Sequence, residues 1–215
     1  MMGDMDSPRR TRMTAVERRE QLLSVGRTVL AEKGYDAASV EEIAARAGVS
    51  KPVLYEHFGG KEGLYAVIVD REVQAFTQTI RDSLAAGGNA RQVVERTVWA
   101  LLTYIEDSRD GFRLLVRDSP NTQAARSFSS VMGDVASEVE TLLAAEFAQA
   151  GLPPSPAPLY AQMLVGLYAF IGQYWLDDET RTKQEVAAHV VNLAWNGLRG
   201  IDPTPRLVTL PHPDV

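Results

Sequence analysis

The segment SVEEIAARAGVSKPVLYEHFGGK, which begins at Ser39, limits the possible folds of this chain more than any other feature. Ser39 and Ser50 each precede a short run with helical spacing, and serine is a preferred helix N-cap. Ser39 and Glu42 have the spacing of a capping box, and Pro52 falls in the first turn of the second run, where its missing N–H costs little. The segment therefore predicts two short helices joined by a tight turn at Gly48.

Helical periodicity continues through the rest of the chain. Apolar residues recur at spacings of three and four, and no long stretch alternates as a strand does. Breaks rich in glycine and proline separate these periodic stretches. We therefore predict an all-α fold of about nine helices. Their expected positions are about residues 15–33, 39–47, 51–58, 61–85, 90–107, 111–117, 123–150, 159–176 and 182–199.

Charge is distributed unevenly along the sequence. Residues 1–61 carry ten Lys/Arg and nine Asp/Glu, whereas residues 62–215 carry twelve and nineteen. This asymmetry predicts two parts with different partners. The chain has no cysteine, and its three histidines are far apart, which argues against a disulfide framework and a metal site. No nucleophile motif or phosphate loop is present, so we expect no cofactor and no enzymatic activity.

No signal-peptide pattern opens the sequence, and we expect a cytoplasmic protein. Residues 159–176 contain no charged side chain over a length that just reaches that of a membrane span. Glutamines and tyrosines dilute this stretch, and no basic cluster flanks it. We therefore expect a helix that is buried in protein on both sides, and no membrane partner.

The segment from Ser39 to Lys61 resembles the DNA-binding domain of the TetR (tetracycline repressor) family, and the resemblance covers about residues 16–64. It is carried by Ile43-Ala44, Ala47-Gly48-Val49-Ser50, Leu54-Tyr55, His57-Phe58 and Lys61-Glu62. The resemblance implies a homodimeric, ligand-controlled transcriptional regulator, most commonly a repressor, that binds a near-palindromic operator. It implies a helix-turn-helix DNA-binding domain (15–60) and a helical ligand-binding and dimerisation domain (61–200). Composition adds a flexible basic arm (1–14) and a Pro-rich flexible tail (201–215).

The resemblance also implies DNA contacts. Residues at the start of the recognition helix would face base edges, where Lys51 can donate to guanine and Val53 can contact the thymine methyl group. Other residues would hold phosphates, although Tyr55 could instead pack in the core, His57 could act as a cap and Lys61 could be merely solvated. The expected base-facing residues are Lys51, Pro52 and Val53, and Ser50 at the helix start is also expected to contact DNA. The expected backbone-contacting residues are Ser39, Tyr55, His57 and Lys61.

Two acidic residues and the amino-terminal arginines leave alternatives open. Glu41 and Glu56 stand where a neutral or basic residue would favour DNA; Glu56 could accept from cytosine or simply repel phosphate. Arg9, Arg10 and Arg12 could enter the minor groove or contact phosphates, or they could form a solubilising tail.

The carboxy-terminal part is expected to form a dimer and a ligand pocket. In the resembled family the last two long helices pair with their copies, and the candidate interface residues here are Tyr168, Trp175, Val190, Trp195 and Leu198. The candidate pocket residues are Trp99, Tyr104, Phe112, Phe128, Met132, Met163, Leu167, Phe170 and Tyr174.

We expect a small hydrophobic effector, because the acidic balance of the surrounding domain disfavours a polyanion. The family likeness described next adds an acyl-CoA or another lipid-like molecule as a candidate. Within the family, SKPVLYEHF and QYWLD are similar to actinobacterial regulators of lipid metabolism. Arg109, Arg113 and Arg117 could receive an acyl-CoA head group, or they could form a solvated helix face.

Two other functions remain open at this stage. A helical carrier of hydrophobic molecules would bind its ligand well and DNA with little sequence preference. An architectural DNA-binding protein would bind DNA and lack a pocket.

Overall fold

The computed structural model describes residues 13–117, 128–178 and 180–207. These residues form nine α-helices and no strand, which confirms the predicted all-α fold. The helices are α1 (Ala15–Lys33), α2 (Val40–Arg46), α3 (Lys51–Phe58), α4 (Lys61–Ala85), α5 (Ala90–Asp107), α6 (Arg109–Val116), α7 (Phe128–Gln149), α8 (Ala157–Asp177) and α9 (Lys183–Arg199).

Side-chain caps fix the beginnings of several helices. Thr14 forms a complete capping box at the start of α1, and Asn89 does so at the start of α5. The Thr182 hydroxyl accepts a hydrogen bond from the Glu185 amide at the start of α9. These bonds satisfy amide groups that the first turn of a helix leaves without a partner.

The two serines of the first predicted helix pair behave differently from the expected pattern. Ser39 accepts from the Glu42 amide at 3.2 Å, but the Glu42 carboxylate is held by Lys33 and Arg46 and does not complete a capping box. Ser50 occupies the N-cap position of α3 without a side-chain cap bond. Ser39 therefore caps α2 as predicted, whereas Ser50 does not cap α3. The reciprocal bond from the Ser39 amide to the Glu42 carboxylate is replaced by the ion pairs of Glu42.

The described residues form two compact units, which divide between Ile68 and Val69, inside α4. The first unit has a small core of fully buried aliphatic side chains on α1, α2, α3 and the beginning of α4. Gly26 permits a close approach there, since a Cβ at this position would lie 2.9 Å from Leu64 Cδ2. The core side chains with no exposure are Leu22, Val29, Leu30, Ile43, Leu54 and Leu64.

In the second unit, α7 packs along α8 and α5 packs along α9. Phe147, near the end of α7, contacts the Tyr160 ring near the start of α8, so the two helices run antiparallel. Phe112 on α6 lies in the middle of the unit, with its ring 6.4 Å from that of Tyr104 and 6.2 Å from that of Phe128. None of the described helices is long and apolar enough to cross a membrane.

Candidate nucleic-acid interface

Helices α2 and α3 form a helix-turn-helix in the first unit. The turn passes through Gly48, whose φ of 65° is a left-handed conformation that glycine adopts without strain. The Val49 amide then donates to the Ala44 carbonyl at 2.9 Å, which closes the turn. Leu54 is fully buried and anchors α3 in the core, leaving the opposite side of this helix free.

The predicted base-facing residues lie at the exposed beginning of α3. Lys51 and Pro52 are exposed, Val53 is half-buried, and Tyr55 one turn later is 52% exposed. The Ser50 hydroxyl is not used to cap the helix. In a helix-turn-helix, an exposed first turn on the second helix is the geometry that places side chains in a DNA major groove.

Lys51 is in contact with an acidic residue of the neighbouring helix. Its ammonium group forms an ion pair with the Glu41 carboxylate in the first turn of α2, and both side chains are solvent-exposed. The hydrogen bond from Lys51 lowers the pKa of the Glu41 carboxyl group, and the same contact raises the pKa of Lys51. Glu41 is therefore an exposed partner of the side chain that we expect to read a base.

The Lys61 side chain forms hydrogen bonds within the first unit. Its ammonium group donates to the carbonyls of Tyr35 at 2.7 Å and Ala38 at 3.0 Å, and it lies 4.3 Å from the centre of the Tyr35 ring. These bonds satisfy two carbonyls of the connection between α1 and α2. Two of its three hydrogens are thus committed to the protein, which leaves one for a phosphate.

Arg19 supports the end of α3 and was not foreseen from the sequence. Its guanidinium donates to the carbonyl of His57 at 2.7 Å and lies 4.4 Å from the centre of the Phe58 ring. His57 itself is half-buried. Only the folded arrangement of α1 against α3 shows this contact, because an arginine on an amphipathic helix has no distinguishing sequence signal. The arm residues Arg9, Arg10 and Arg12 lie outside the described residues.

A cavity of about 300 Å³ lies inside the second unit, between α4, α5, α6, α7, α8 and α9. Its wall is almost entirely apolar, and three of the predicted pocket residues, Phe112, Phe128 and Met132, belong to it. The few polar residues of the wall are Thr97, Glu146, Tyr168 and Arg199. A cavity of this size and composition matches the usual small-molecule site of a protein.

The other six predicted pocket residues do not line this cavity. Trp99, Met163, Phe170 and Tyr174 are exposed, and Phe170 reaches 73% exposure. Tyr104 is buried and donates to the Glu72 carboxylate at 2.8 Å. Leu167 is half-buried on α8 and is absent from the wall. Four of these six residues are on α8, which is apolar nearly all round, so periodicity does not show which of its sides faces the cavity.

The predicted interface residues are buried or half-buried in the protomer. Tyr168, Trp195 and Leu198 line the cavity. Val190 is buried, as is Trp175, whose indole N–H donates to the Arg181 carbonyl at 2.9 Å. Tyr168 thus lies on the cavity side of α8, whereas Met163, Phe170 and Tyr174 are on the exposed side of that helix.

The arginines expected at the pocket entrance tie α6 to the end of α8. Arg109 donates to the Leu176 carbonyl at 2.7 Å, and Arg113 contacts the Asp177 carboxylate at 3.3 Å. None of the three arginines, Arg117 included, belongs to the wall of the cavity. The cation on this wall is Arg199, at the end of α9.

The first unit carries a helix-turn-helix with an exposed α3, and the second unit surrounds an apolar cavity. These two features define a class of protein, the one-component DNA-binding regulators. Comparison with known proteins identifies the family. A family model described as "Bacterial regulatory proteins, tetR family" matches residues 22–68. The HTH-type transcriptional activator FasR of Mycolicibacterium smegmatis is 33% identical over 195 residues, covering 88% of this chain and 87% of that protein. The chain belongs to the TetR family of transcriptional regulators.

Solved structures share the fold. A TetR-like transcriptional regulator from Rhodococcus sp. RHA1 has a TM-score of 0.75 and 25% identity, covering 88% of this chain and all of that one. AibR, solved in complex with isovaleryl coenzyme A and operator DNA, has a TM-score of 0.67 and 18% identity, covering 82% of this chain and 97% of that one.

Proposed function

We propose that this chain acts as a homodimer that binds a near-palindromic operator through α3 and is released from it by a small hydrophobic effector. The observation that carries the proposal is the combination of an exposed recognition-helix start at Lys51 with an apolar cavity of about 300 Å³. With DNA as its partner, the protein works in the cytoplasm.

In this proposal the first turn of α3 reads bases and the surrounding side chains hold phosphates. Ser50, Lys51, Pro52 and Val53 enter the major groove, and Lys51 donates to guanine. Tyr55, which is exposed, and the half-buried His57 and Ser39 contact the backbone, with a lesser contribution from Lys61. Glu56, exposed on the same helix, opposes phosphate and restricts the sequences that bind.

We place the dimer interface on the outer side of α8 and α9. Five large apolar residues are exposed there, at helical spacing along α8 and once on α9, and a contiguous apolar surface of this kind marks a protein–protein contact. A symmetric dimer also provides two copies of α3 for the two half-sites of a palindrome, about 34–36 Å apart per helical turn. The residues are Leu159, Met163, Phe170, Tyr174 and Leu193.

Helix α4 is the element through which the effector would act. Phe76 and Ile80, on its second half, belong to the cavity wall, and the same helix begins at Lys61 in the first unit. An effector that favours one position of α4 changes the affinity for DNA, and DNA changes the affinity for the effector by the same factor. AibR supports this scheme, since its structure holds both an acyl coenzyme A and operator DNA.

Two experiments test the proposal. Purified protein is used to select fragments of genomic DNA, and the bound site is mapped by footprinting; we expect a near-palindrome occupied by two protomers. A reporter gene behind that site then shows the direction of regulation, which depends on where the site lies relative to the promoter. The relative FasR is named an activator, so the reporter decides between activation and the repression expected from the sequence.

The apolar cavity also fits a carrier of hydrophobic molecules. The same selection separates the two functions, because a carrier would enrich no common DNA sequence.

A further inference from the structure

The apolar cavity of the second unit is elongated along α7. Its wall takes one or two residues from every turn of this helix between Met132 and Glu146, which is roughly 20 Å of helix. The cavity volume of about 300 Å³ is spread over this length, so the space is narrow. An unbranched apolar chain fits such a space better than a compact ring system does.

One end of the cavity is open and the opposite end is closed. Burial of the wall increases along α4 from Leu84, which is half-buried, to Phe76, which is buried. Along α5 burial increases in the same way from the half-buried Val93 to the buried Leu101. The cavity therefore opens near the connection between α4 and α5 and closes around Phe76 and Leu101.

The cationic residue of the wall lies at the open end. Lys183, the first residue of α9, pairs with Glu106 near the end of α5, so these two packed helices run antiparallel. The last turn of α9, which carries the exposed Arg199, is therefore beside the beginning of α5. A polar end group on a bound chain would meet Arg199 and water there, and the chain would extend inward.

The Phe112 side chain fills the closed end. It borders the cavity, but none of its surface is exposed, so it occupies space into which the cavity would otherwise continue. Its ring lies 6.3 Å from the ring of Phe76 and 6.2 Å from that of Phe128. Gly172 on α8 is behind it, where an added Cβ would lie 3.2 Å from Phe112 Cζ. The ring is thus enclosed by α4, α7 and α8 and has no room to turn aside.

We propose that Phe112 determines the length of the effector, which is an unbranched apolar chain with its polar end at the opening and its last carbon against the Phe112 ring. This inference rests on the proposed function, since it assumes that the cavity is the effector site. A shorter side chain at this position would lengthen the cavity, because the packed neighbours relax only partly into the space left behind. Leucine has about three carbons fewer than phenylalanine, and alanine has about six fewer.

A series of straight-chain saturated carboxylates with about 6 to 18 carbons tests this limit, because each added methylene extends the buried apolar surface by one step. Binding of each, below its micelle concentration, is measured by titration calorimetry to the full-length wild type, Phe112→Leu, Phe112→Ala and the control Phe147→Leu. Phe147 is a buried phenylalanine of the same wall, but it lies near the end of α7. Its replacement removes the same atoms away from the closed end.

In the wild type we expect the affinity to rise about fourfold for each added carbon and to stop rising at a limiting chain length. The limit should increase by about three carbons in Phe112→Leu and by about six in Phe112→Ala, and it should stay in place in Phe147→Leu. The reverse change, Leu101→Phe, adds atoms at the closed end and should shorten the limit by about three carbons. Circular dichroism shows which variants are folded, and Leu101→Phe decides the matter if both Phe112 variants are not.

The inference alone is overturned if the wild type shows no limit, or if the limit is unchanged in folded Phe112→Leu or Leu101→Phe. A limit that moves equally in Phe147→Leu also overturns it. If no carboxylate binds although the protein still selects an operator, the inference fails together with the effector part of the proposed function.

Discussion

The ammonium group of Lys51, the first residue of α3, forms an ion pair with the carboxylate of Glu41 in the first turn of α2. This pair connects the two helices of the helix-turn-helix on their solvent side. DNA binding must either break it or use it to hold Lys51 towards one base, and the second alternative gives Glu41 a role in specificity.

Glu41→Gln is the first prediction. It removes a negative charge beside the DNA and frees Lys51, so we expect binding to random DNA to strengthen several-fold while the preference for the operator falls. Melting temperature should hardly change, because exposed ion pairs stabilise little. Fluorescence anisotropy with operator and shuffled DNA measures both effects. The control is Glu95→Gln, which breaks an exposed pair with Arg91 in the second unit; identical behaviour of the two variants would contradict the assignment.

The pH dependence of the same pair has a definite sign. Lys51 holds the pKa of Glu41 below its ordinary value of 4.5, so the pair is present above that value and is lost as the pH falls through the lowered pKa. At neutral pH the carboxylate is charged, and we expect the difference in DNA affinity between wild type and Glu41→Gln to shrink only in acid.

Lys61→Met is predicted to destabilise the protein. It leaves the carbonyls of Tyr35 and Ala38 without their shared donor, which should lower the free energy of unfolding by about 1–3 kcal/mol. Lys33→Met is the matched control, because Lys33 forms only a surface pair with Glu42. Urea unfolding of both variants checks this. Equal stability of the two would mean that Lys61 serves mainly the DNA.

A glycine substitution in α6 tests how tightly this helix packs, and one in α7 serves as its control. A Cβ on Gly111 would collide with the buried Glu72 carboxylate, which Tyr104 and Ser108 hold in place, so we expect Gly111→Ala to lower the free energy of unfolding by about 1–3 kcal/mol. Gly133 on α7 has nothing within 4 Å of an added Cβ, and Gly133→Ala should stabilise the protein by about 0.5–1 kcal/mol. Scanning calorimetry that ranked the two variants in the reverse order would refute this description of α6.

Phe170→Glu is predicted to convert the dimer into monomers. Phe170 is 73% exposed in the protomer and lies in the middle of the proposed interface on α8, where a buried charge would be strongly unfavourable. Val16→Glu is the control, since Val16 on α1 is equally exposed, at 72%. Light scattering after gel filtration gives the mass of each variant. A dimeric Phe170→Glu would place the interface elsewhere.

The sequence predicted most of the fold because the helix boundaries depend on local signals. The N-cap residue Thr182 and the breaks at Gly34, Gly59 and Gly87 are readable one residue at a time, and each lies at a helix end in the structure. The start of α3 was accessible for the same reason. Its motif combines Ser50, Pro52 and the buried Leu54 within one short segment.

The sequence did not predict which side of α8 faces the cavity. Tyr168 and Phe170 are both large and aromatic and are only two residues apart, but one lines the cavity and the other is exposed. That difference is set by how α8 packs on α7, which is a tertiary property. The Lys51–Glu41 pair was missed for a similar reason, since it joins residues on two helices whose crossing is fixed only in the folded unit.

The most direct test of the account is an anisotropy titration of the wild type, Lys51→Ala and Arg91→Ala with the selected operator and with a shuffled fragment, at physiological salt. We predict that the wild type and Arg91→Ala bind the operator on the order of a thousandfold more tightly than the shuffled DNA. Lys51→Ala should lose about ten- to a hundredfold of that preference, at one base position per half-site. Equal binding of both DNAs by the wild type, or an unchanged preference in Lys51→Ala, would contradict the account.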